Sequence, residues 1–337
     1  MILAALFIGL QRLNGTSDFN HIYKGIECVF TSQVIYDCSP YYRFPPAFAY
    51  LMAPLSLFLK KTGTFLLIML VQILSLMLVL ERLPSRRLAY ISALLLIFPI
   101  ADTLFLGQIN ILAFTTLPIL ALLSENNYLK GFIMSISTWM KAISGILSLH
   151  FLKEKPFRFL FGFLMTTIPL LLLGVLLRGW NLALMDLKRW FDEMIFSLIF
   201  HGSLTQKVYP GGFTHYKNYT LLSFWKMAGL PMGAYILLFL LSIIPFVFAE
   251  NEYLSLGLLS VSAIIFSPIS WLHYYVILLL PLYNLLVFEN SGRVKVSIAS
   301  VVFLSFILTG LKWGRWIKAP LMGAILLYGW HLFKLFP

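Results

Sequence analysis

The chain has little charge and few of the residues that stabilise small secreted or metal-binding domains. Only 11% of its 337 residues are charged, and 13 of them are acidic. Its two cysteines are too few for a disulfide-rich scaffold, and no other Cys or His stands at zinc-like spacing. The sequence has no internal repeat, which argues against a transporter built from paired halves. No small-residue cleavage site follows Met1–Leu10, so a signal peptide is not expected.

Long apolar runs take the place of these features. Hydrophobic residues make up 60% of the chain, and most charged residues stand in the breaks between runs. A bilayer core needs about 20 residues of helix, or slightly fewer with snorkelling flanks, and it admits no open sheet edge. The pattern predicts an all-α integral membrane protein, one polytopic domain over residues 1–337 with roughly ten spans. The runs are Thr64–Leu80, Leu88–Ile100, Ile109–Leu123, Phe159–Leu177, Ala234–Ala249, Tyr253–Phe266, Tyr274–Phe288, Val296–Leu311 and Leu321–Phe333, with Met1–Leu10 as a short or incomplete first span.

Charge in the short connections predicts the orientation. The net charge of +12 indicates contact with lipid headgroups in such a chain, and no nucleic-acid partner is expected. Basic connections such as Arg82–Arg87 belong inside under the positive-inside rule, although Glu250–Glu252 is acidic. Two long basic segments, Gln11–Gly63 and Arg178–Leu230, then share the extracytoplasmic side of the plasma membrane. Long polar loops on one face are where a membrane enzyme would keep its site.

Three local patterns add detail on the outer side. Ala47–Leu59 is too short to span easily and is predicted to lie as a helix in the outer interface, closed by Lys60-Lys61. Cys28 and Cys38 share one outer loop, where a disulfide and two free thiols both remain open. The polar middle of Leu129–Phe151 predicts two short re-entrant helices that meet near Lys141, close to the outer face.

Four polar clusters stand on the predicted outer side, and each short motif is weak alone. The clusters are Ser17–Tyr23 with Asp18, Tyr41–Pro46 with Phe44-Pro45-Pro46, Gly107-Gln108-Ile109-Asn110, and Ser267–Tyr274 with Trp271 and His273. Together with Lys141, Tyr36 and Pro54-Leu55, they resemble glycosyltransferase family 87, a GT-C-type group of mannosyltransferases that use polyprenyl-phosphate-mannose. The resemblance covers most of the chain in the expected order. Two departures are Phe44, where the family usually has Tyr, and Ala142, where a Pro often follows the lysine closely.

The resemblance implies a role for each of these residues beside a plainer one. It makes Asp18 the catalytic base, although Asp is also a favoured helix N-cap. It implies substrate binding by His273, Lys141, Arg43, Tyr23, Gln108, Asn110 and Trp271. The plainer roles are an interfacial belt for His273, a headgroup anchor for Arg43, and helix-end or interhelical bonds for Gln108 and Asn110. Asp102 and the group Lys188, Asp192 and Glu193 are interpreted as solvated charge.

The resulting hypothesis is an inverting transfer of a sugar, expected to be mannose, from a polyprenyl-phosphate donor to a lipid or glycan hydroxyl. Asp18 would accept the hydroxyl proton as the new bond forms, while His273, Lys141 and Arg43, in falling order, would hold the departing phosphate. The chain has no Asp-x-Asp of the kind that holds a metal for nucleotide sugars, so no metal or other cofactor is expected. A transporter or flippase of lipid-linked sugars is the alternative. It would favour ionisable residues near the midplane of several helices.

Overall fold

All regular elements in the described part of the chain are helical, as the sequence predicted. A computed structural model describes residues 2–14, 18–153, 155–192, 221–222, 225, 228–229, 231–267, 271–309 and 318–335. The α-helices are α1 (Ile2–Gln11), α2 (Asp18–Glu27), α3 (Ile35–Cys38), α4 (Pro46–Arg82), α5 (Arg86–Leu95), α6 (Ile97–Leu106), α7 (Leu117–Leu123), α8 (Asn127–Met140), α9 (Ser148–Phe151), α10 (Pro156–Arg178), α11 (Trp180–Trp190), α12 (Met232–Ile243), α13 (Glu252–Ile265), α14 (Leu279–Phe288), α15 (Gly292–Leu308) and α16 (Ala319–Leu335). Shorter 3₁₀ or π turns are Arg12–Asn14, Cys28–Phe30, Ile111–Thr116, Ala142–Leu147, Ile244–Phe248 and Leu272–Leu278.

Several predicted runs form two helical pieces instead of one. The run Leu88–Ile100 is divided between α5 and α6, which are bent by 65° at Leu96. Pro99 explains the break, since its ring clashes with the carbonyl four residues back and it has no N–H to donate. The run Ala234–Ala249 likewise tightens into a 3₁₀ turn that includes Pro245. Proline therefore sets helix ends that hydrophobicity alone does not reveal.

Helix α4 combines the predicted interfacial helix with the first clear apolar run. It begins at Pro46, where the fixed φ of proline suits the first helical turn. Lys60 interrupts it with a φ of 54° and a ψ of −174°, a conformation that is costly for a residue with a side chain. Lys61 donates to the carbonyl of Leu13 beside the kink. The predicted helix end at Lys60-Lys61 is therefore confirmed as a break within α4.

The chain reverses between α8 and α10. Helix α8 ends at Met140, Lys141 is extended with φ −148° and ψ 111°, and a 3₁₀ turn follows. Close contacts show that α8 and α10 run parallel. Gly131 lies against the Phe159 carbonyl, and Ser135 is bonded to Thr167 at 2.9 Å further along both helices. The segment between them must therefore return to the starting end, and the predicted break at Lys141 is confirmed.

The disulfide of the first outer loop is confirmed, and a buried ion pair anchors that loop. Cys28 and Cys38 are bonded, with their Cα atoms 6.0 Å apart. The guanidinium of Arg178 donates to the backbone carbonyls of this loop and pairs with Asp186 of α11 at 2.6 Å, with both side chains fully buried. The accepting carbonyls belong to Cys28, Val29, Thr31 and Gln33. Asp186 ties the same region together through both carboxylate oxygens. Its Oδ1 accepts from the Ile35 N–H at 2.8 Å, and its Oδ2, which also faces Arg178, accepts from the Tyr50 hydroxyl at 2.9 Å.

These contacts bring the two predicted outer loops together. Asp186 and Arg189 of the second loop contact Ile35 and Asp37 of the first, the latter through an exposed ion pair of 3.1 Å. Lys207, Lys217 and most of the second loop lie outside the described residues. The described parts therefore agree with one shared side for the two loops.

Among the described residues, fewer helices are long enough to cross a membrane than the number of apolar runs predicted. Within the described residues, Pro46–Arg82 and Pro156–Arg178 are long and apolar enough to cross a membrane, and α5 with α6 makes a third if the bent pair is one span. The other apolar helices are shorter than the roughly 20 residues a straight span needs. The number of spans and their orientation stay predictions.

Single-cysteine labelling tests the predicted orientation. Both native cysteines are in the disulfide, so a new cysteine is the only free thiol. With Lys188→Cys, on the exposed face of α11, we expect labelling by a membrane-impermeant maleimide added to intact cells. With Arg87→Cys we expect labelling only after the membrane is opened. Labelling of both variants in intact cells would contradict the orientation.

Candidate active site

The site is organised by a tight turn at the end of α6. Gly107 ends this helix in the left-handed region, with φ 69°, and the Gln108 N–H returns to the Thr103 carbonyl at 3.0 Å. A Cβ at Gly107 would lie 2.5 Å from the Cβ of Phe19, so only glycine allows α2 to approach this closely. The turn places Gln108 directly beside the beginning of α2, where Asp18 is the first residue.

The side chain of Gln108 bridges Asp18 and Lys141. Its Nε2 donates to Asp18 Oδ2 at 2.8 Å, and its Oε1 accepts from Lys141 Nζ at 3.3 Å. The orientation of the amide follows from chemistry, because a carboxylate only accepts and an ammonium only donates. The backbone carbonyl of Gln108 accepts in turn from Gln72 Nε2 at 2.8 Å. One buried amide therefore fixes the positions of an acid and a cation from distant parts of the chain.

Two aromatic rings surround the ammonium of Lys141. Its Nζ lies 4.1 Å from the ring centroid of Phe44 and 4.9 Å from that of Tyr274, whose hydroxyl is 3.4 Å away. Cation–π contacts of this kind favour the charged ammonium. Burial acts in the other direction and lowers the pKa of Lys141, which is only 7% exposed, to about 7, while the Asp18 carboxylate raises it. Phe44 opens the Phe-Pro-Pro motif and Tyr274 follows His273, so the geometry explains why an aromatic residue stands at each position.

His273 joins the same region but pairs with a residue interpreted as solvated charge. Its Nδ1 lies 3.2 Å from Asp102 Oδ2, and its side chain is only 3% exposed. The interpretation of Asp102 as solvated charge was therefore wrong. Asp102 stands among the apolar residues of α6, where a charge is costly without a partner, and that cost was the available signal. The pair orients the imidazole, because a carboxylate accepts from the nitrogen that faces it.

Asn110 donates a hydrogen bond to the backbone of this region. Its Nδ2 donates to the His273 carbonyl at 3.1 Å, and the Thr103 hydroxyl donates to the same oxygen at 3.2 Å. Asn110 is fully buried at the beginning of a π turn, and its Oδ1 has no partner among the described residues. The plainer prediction for Asn110, an interhelical bond, is what the structure contains.

The remaining predicted residues lie around this centre. Tyr23 is buried against Phe19, with ring centroids 6.1 Å apart, and five residues along a helix turn it about 140° from Asp18. The ring of Trp271 is 5.9 Å from that of His273. Arg43 is half-buried, and its positive charge lowers the pKa of His21, which lies one turn after Asp18.

Three charged groups near His21 influence the pKa of its imidazole. Burial lowers the pKa of the His21 imidazole, the positive charges of Lys24 and Arg43 act in the same direction, and the Asp18 carboxylate opposes them. His21 is therefore neutral at neutral pH, and its ring lies 4.8 Å from that of Tyr41. Asp18 and Arg43 therefore both act on His21, with opposite effects on its pKa.

The structure brings all four predicted clusters to one place. Gln108 contacts both Asp18 and Lys141, and Phe44 and Tyr274 both contact the Lys141 ammonium, so one residue from each cluster takes part. The arrangement offers a carboxylate that can accept a proton and, nearby, a shielded cation that can hold an anion. No three His, Cys, Asp or Glu side chains come together as a metal site within the described residues.

Comparison with known proteins agrees with the resemblance. The model of glycosyltransferase family 87 matches residues 42–272, more than half of the chain. Phe44, Gln108 and Lys141 lie inside this match, whereas Asp18 and His273 lie outside it. No curated protein and no solved structure matches the chain significantly. Because the matched region includes the centre of the site and most of the helices that carry it, the chain belongs to glycosyltransferase family 87.

Proposed function

We propose that this glycosyltransferase transfers mannose from a polyprenyl-phosphate donor to a lipid or glycan hydroxyl, with inversion at the anomeric carbon. The reaction takes place at the extracytoplasmic face of the plasma membrane, in a GT-C-type helical bundle. Asp18 is the general base. The acceptor oxygen forms a bond to the anomeric carbon as the bond to the phosphate oxygen breaks, and the hydroxyl proton passes to Asp18.

The bridging amide of Gln108 is the observation that carries the proposal. It holds the Asp18 carboxylate and the Lys141 ammonium within about 8 Å of each other, the reach of two hydrogen bonds across one amide. Inverting glycosidases keep their two carboxyl groups roughly 6.5–9.5 Å apart, with the reacting carbon between them. A base and a phosphate-binding cation at a similar separation suit an in-line displacement across one sugar ring.

A phosphate leaving group determines what else the site needs. The departing phosphate is already a weak base, so no general acid is obligatory, and positive charge is the main requirement. Lys141 supplies it beside Asp18. His273, with its ring oriented by Asp102, is a second donor, and Arg43 is a third. Tyr23 and Trp271 are substrate contacts on the family resemblance.

The chemistry of the donor also agrees with the sequence. The chain has no Asp-x-Asp to hold a metal against a nucleotide diphosphate. A polyprenyl monophosphate needs no such metal, because one negative phosphate can be held by a lysine and neighbouring donors. The apolar helices beside the site suit a donor whose polyprenyl tail stays in the bilayer.

Sugar transfer by the purified protein in liposomes tests the proposal. With labelled polyprenyl-phosphate-mannose and a panel of lipid and glycan acceptors, we expect a labelled product with inverted configuration and no transfer from GDP-mannose. For Lys141→Gln we expect roughly 10–150-fold weaker use of the donor, since an ionic hydrogen bond to phosphate contributes about 1.5–3 kcal/mol.

Lys24→Gln is the matched control, because it makes the same change at an exposed lysine of α2, the helix that begins at Asp18, and should leave transfer unchanged. Transfer from GDP-mannose alone would contradict the donor, and movement of the labelled lipid across the bilayer without product would indicate a carrier. An unchanged donor KM in Lys141→Gln would remove Lys141 from the phosphate site.

A further inference from the structure

A second polar site lies at the opposite end of α8 from Lys141. A cavity of about 330 Å³ opens there, lined by Glu125, Asn126, Asn127, Tyr128, Lys155 and Arg158. Helix α8 has 14 residues, so this cavity is about 20 Å along the helix from the proposed active site. Nothing in the proposed sugar transfer uses these residues.

Two parallel helices begin at this cavity. Gly131 and Gly162 let α8 and α10 pack closely, because a Cβ at either would lie 2.0 Å from a carbonyl oxygen of the other helix. The N-terminal N–H groups of both helices therefore face the same region, and such ends attract anions. Asn126 caps α8 through bonds to the N–H groups of Tyr128 and Leu129. Lys155 precedes α10 without a side-chain cap, which leaves N–H donors of that helix available.

The charges around the cavity have both signs. Lys155 and Arg158 are exposed beside the first turn of α10, where they reinforce the attraction for an anion. Glu125 lies across the same cavity and would repel a simple phosphate. Asn127 also lines the cavity, is only 8% exposed, and has an Oδ1 without a hydrogen-bond partner among the described residues. A buried acceptor without a donor is costly, so this atom would gain from a donor bound in the cavity.

We propose that this cavity binds the headgroup of a phospholipid that carries a primary ammonium next to its phosphate. The phosphate lies against Lys155, Arg158 and the N–H groups of α10. The ammonium donates to the Glu125 carboxylate and to Asn127 Oδ1. A quaternary ammonium has no N–H for these acceptors, and a headgroup without nitrogen leaves both unsatisfied.

Aromatic side chains beside the cavity favour a lipid over a free phosphate ester. Phe157 is 87% exposed, and the exposed rings of Tyr128 and Phe161 pack edge to face at 5.8 Å. Exposed aromatic rings at the end of a candidate span are typical of the headgroup level of a bilayer. The headgroup in the cavity would thus keep its acyl chains along the apolar surface of α10.

Native mass spectrometry of the detergent-solubilised protein tests this site. We expect the wild type to retain phosphatidylethanolamine more strongly than phosphatidylglycerol or phosphatidylcholine of the same chain length. Lys155→Gln/Arg158→Gln should weaken retention of phosphatidylethanolamine about tenfold, as expected for lost ionic hydrogen bonds. Glu125→Gln should reduce the preference for the ethanolamine headgroup and leave phosphatidylglycerol retention equal or higher.

The matched control is Arg293→Gln/Lys295→Gln, which removes one exposed and one half-buried basic residue at the beginning of a single helix, α15. It should leave the preference unchanged. An equal loss of phosphatidylethanolamine retention in this control would mean that any removal of basic surface residues weakens retention, and it would overturn the proposal. Displacement of the lipid by an equal concentration of free phosphoethanolamine would overturn the lipid assignment, and so would equal retention of all three lipids by the wild type.

Discussion

Asp18→Asn is expected to lower the turnover of sugar transfer by about 10²–10⁴-fold, the usual contribution of a general base. Asparagine keeps the shape of the side chain and an oxygen that can accept from Gln108 Nε2, so the contact with the bridging amide survives. It cannot take up the acceptor proton. Binding of the donor should remain largely intact, because Lys141 and the aromatic rings around it are unchanged.

Steady-state transfer and equilibrium binding of labelled polyprenyl-phosphate-mannose separate these effects. Asp37→Asn makes the same change in the first outer loop, at an exposed ion pair with Arg189, and should transfer at the wild-type rate. If Asp18→Asn also matched the wild type, the base would have to be another residue. A parallel loss of donor binding would indicate a structural role for Asp18 instead.

Arg178→Met is expected to destabilise the protein by about 3–5 kcal/mol, because it leaves the Asp186 carboxylate buried without its counter-charge. The substitution also removes the donor that serves the carbonyls of Cys28, Val29 and neighbouring residues. The first outer loop carries Asp18, so transfer should fall together with stability. Unfolding in detergent, followed by tryptophan fluorescence, measures the change.

Two further variants separate charge from shape. Arg189→Met removes an exposed arginine of α11 and should cost no more than about 1 kcal/mol, as surface ion pairs do. Arg178→Met/Asp186→Leu should recover part of the lost stability, because no unpaired charge remains. Equal stability of Arg178→Met and Arg189→Met would show that the buried pair contributes little.

The hydrophobic pattern predicted where helices form, but it did not predict whether each helix is continuous. The apolar runs all correspond to helical segments where the structure describes them, and the break at Lys141 followed from its polar neighbours. The 65° bend between α5 and α6 was not predicted, because an apolar run looks the same whether it is straight or bent. Pro99 was the local signal for it.

The order of the motifs predicted which residues lie close together. The structure then revealed contacts of Gln108 and Asp102 that the motifs do not indicate. Gln108 was predicted as a substrate contact, yet both polar atoms of its side chain are used to hold Asp18 and Lys141. Its partners are 90 and 33 residues away, and no local pattern reveals such pairing. Asp102 was dismissed for the same reason, since its partner His273 is 171 residues later.

The bonds of Arg178 also set an order of events during synthesis. The carbonyls that it holds belong to residues made about 150 positions earlier. At a ribosomal speed of about 5–20 residues per second, roughly 10–30 s pass between the two. During that interval the Cys28–Cys38 segment has left the ribosome without the arginine that anchors it. On the proposed extracytoplasmic side, its cysteines therefore have time to meet an oxidase before α10 and α11 arrive, so oxidation can precede assembly of the site.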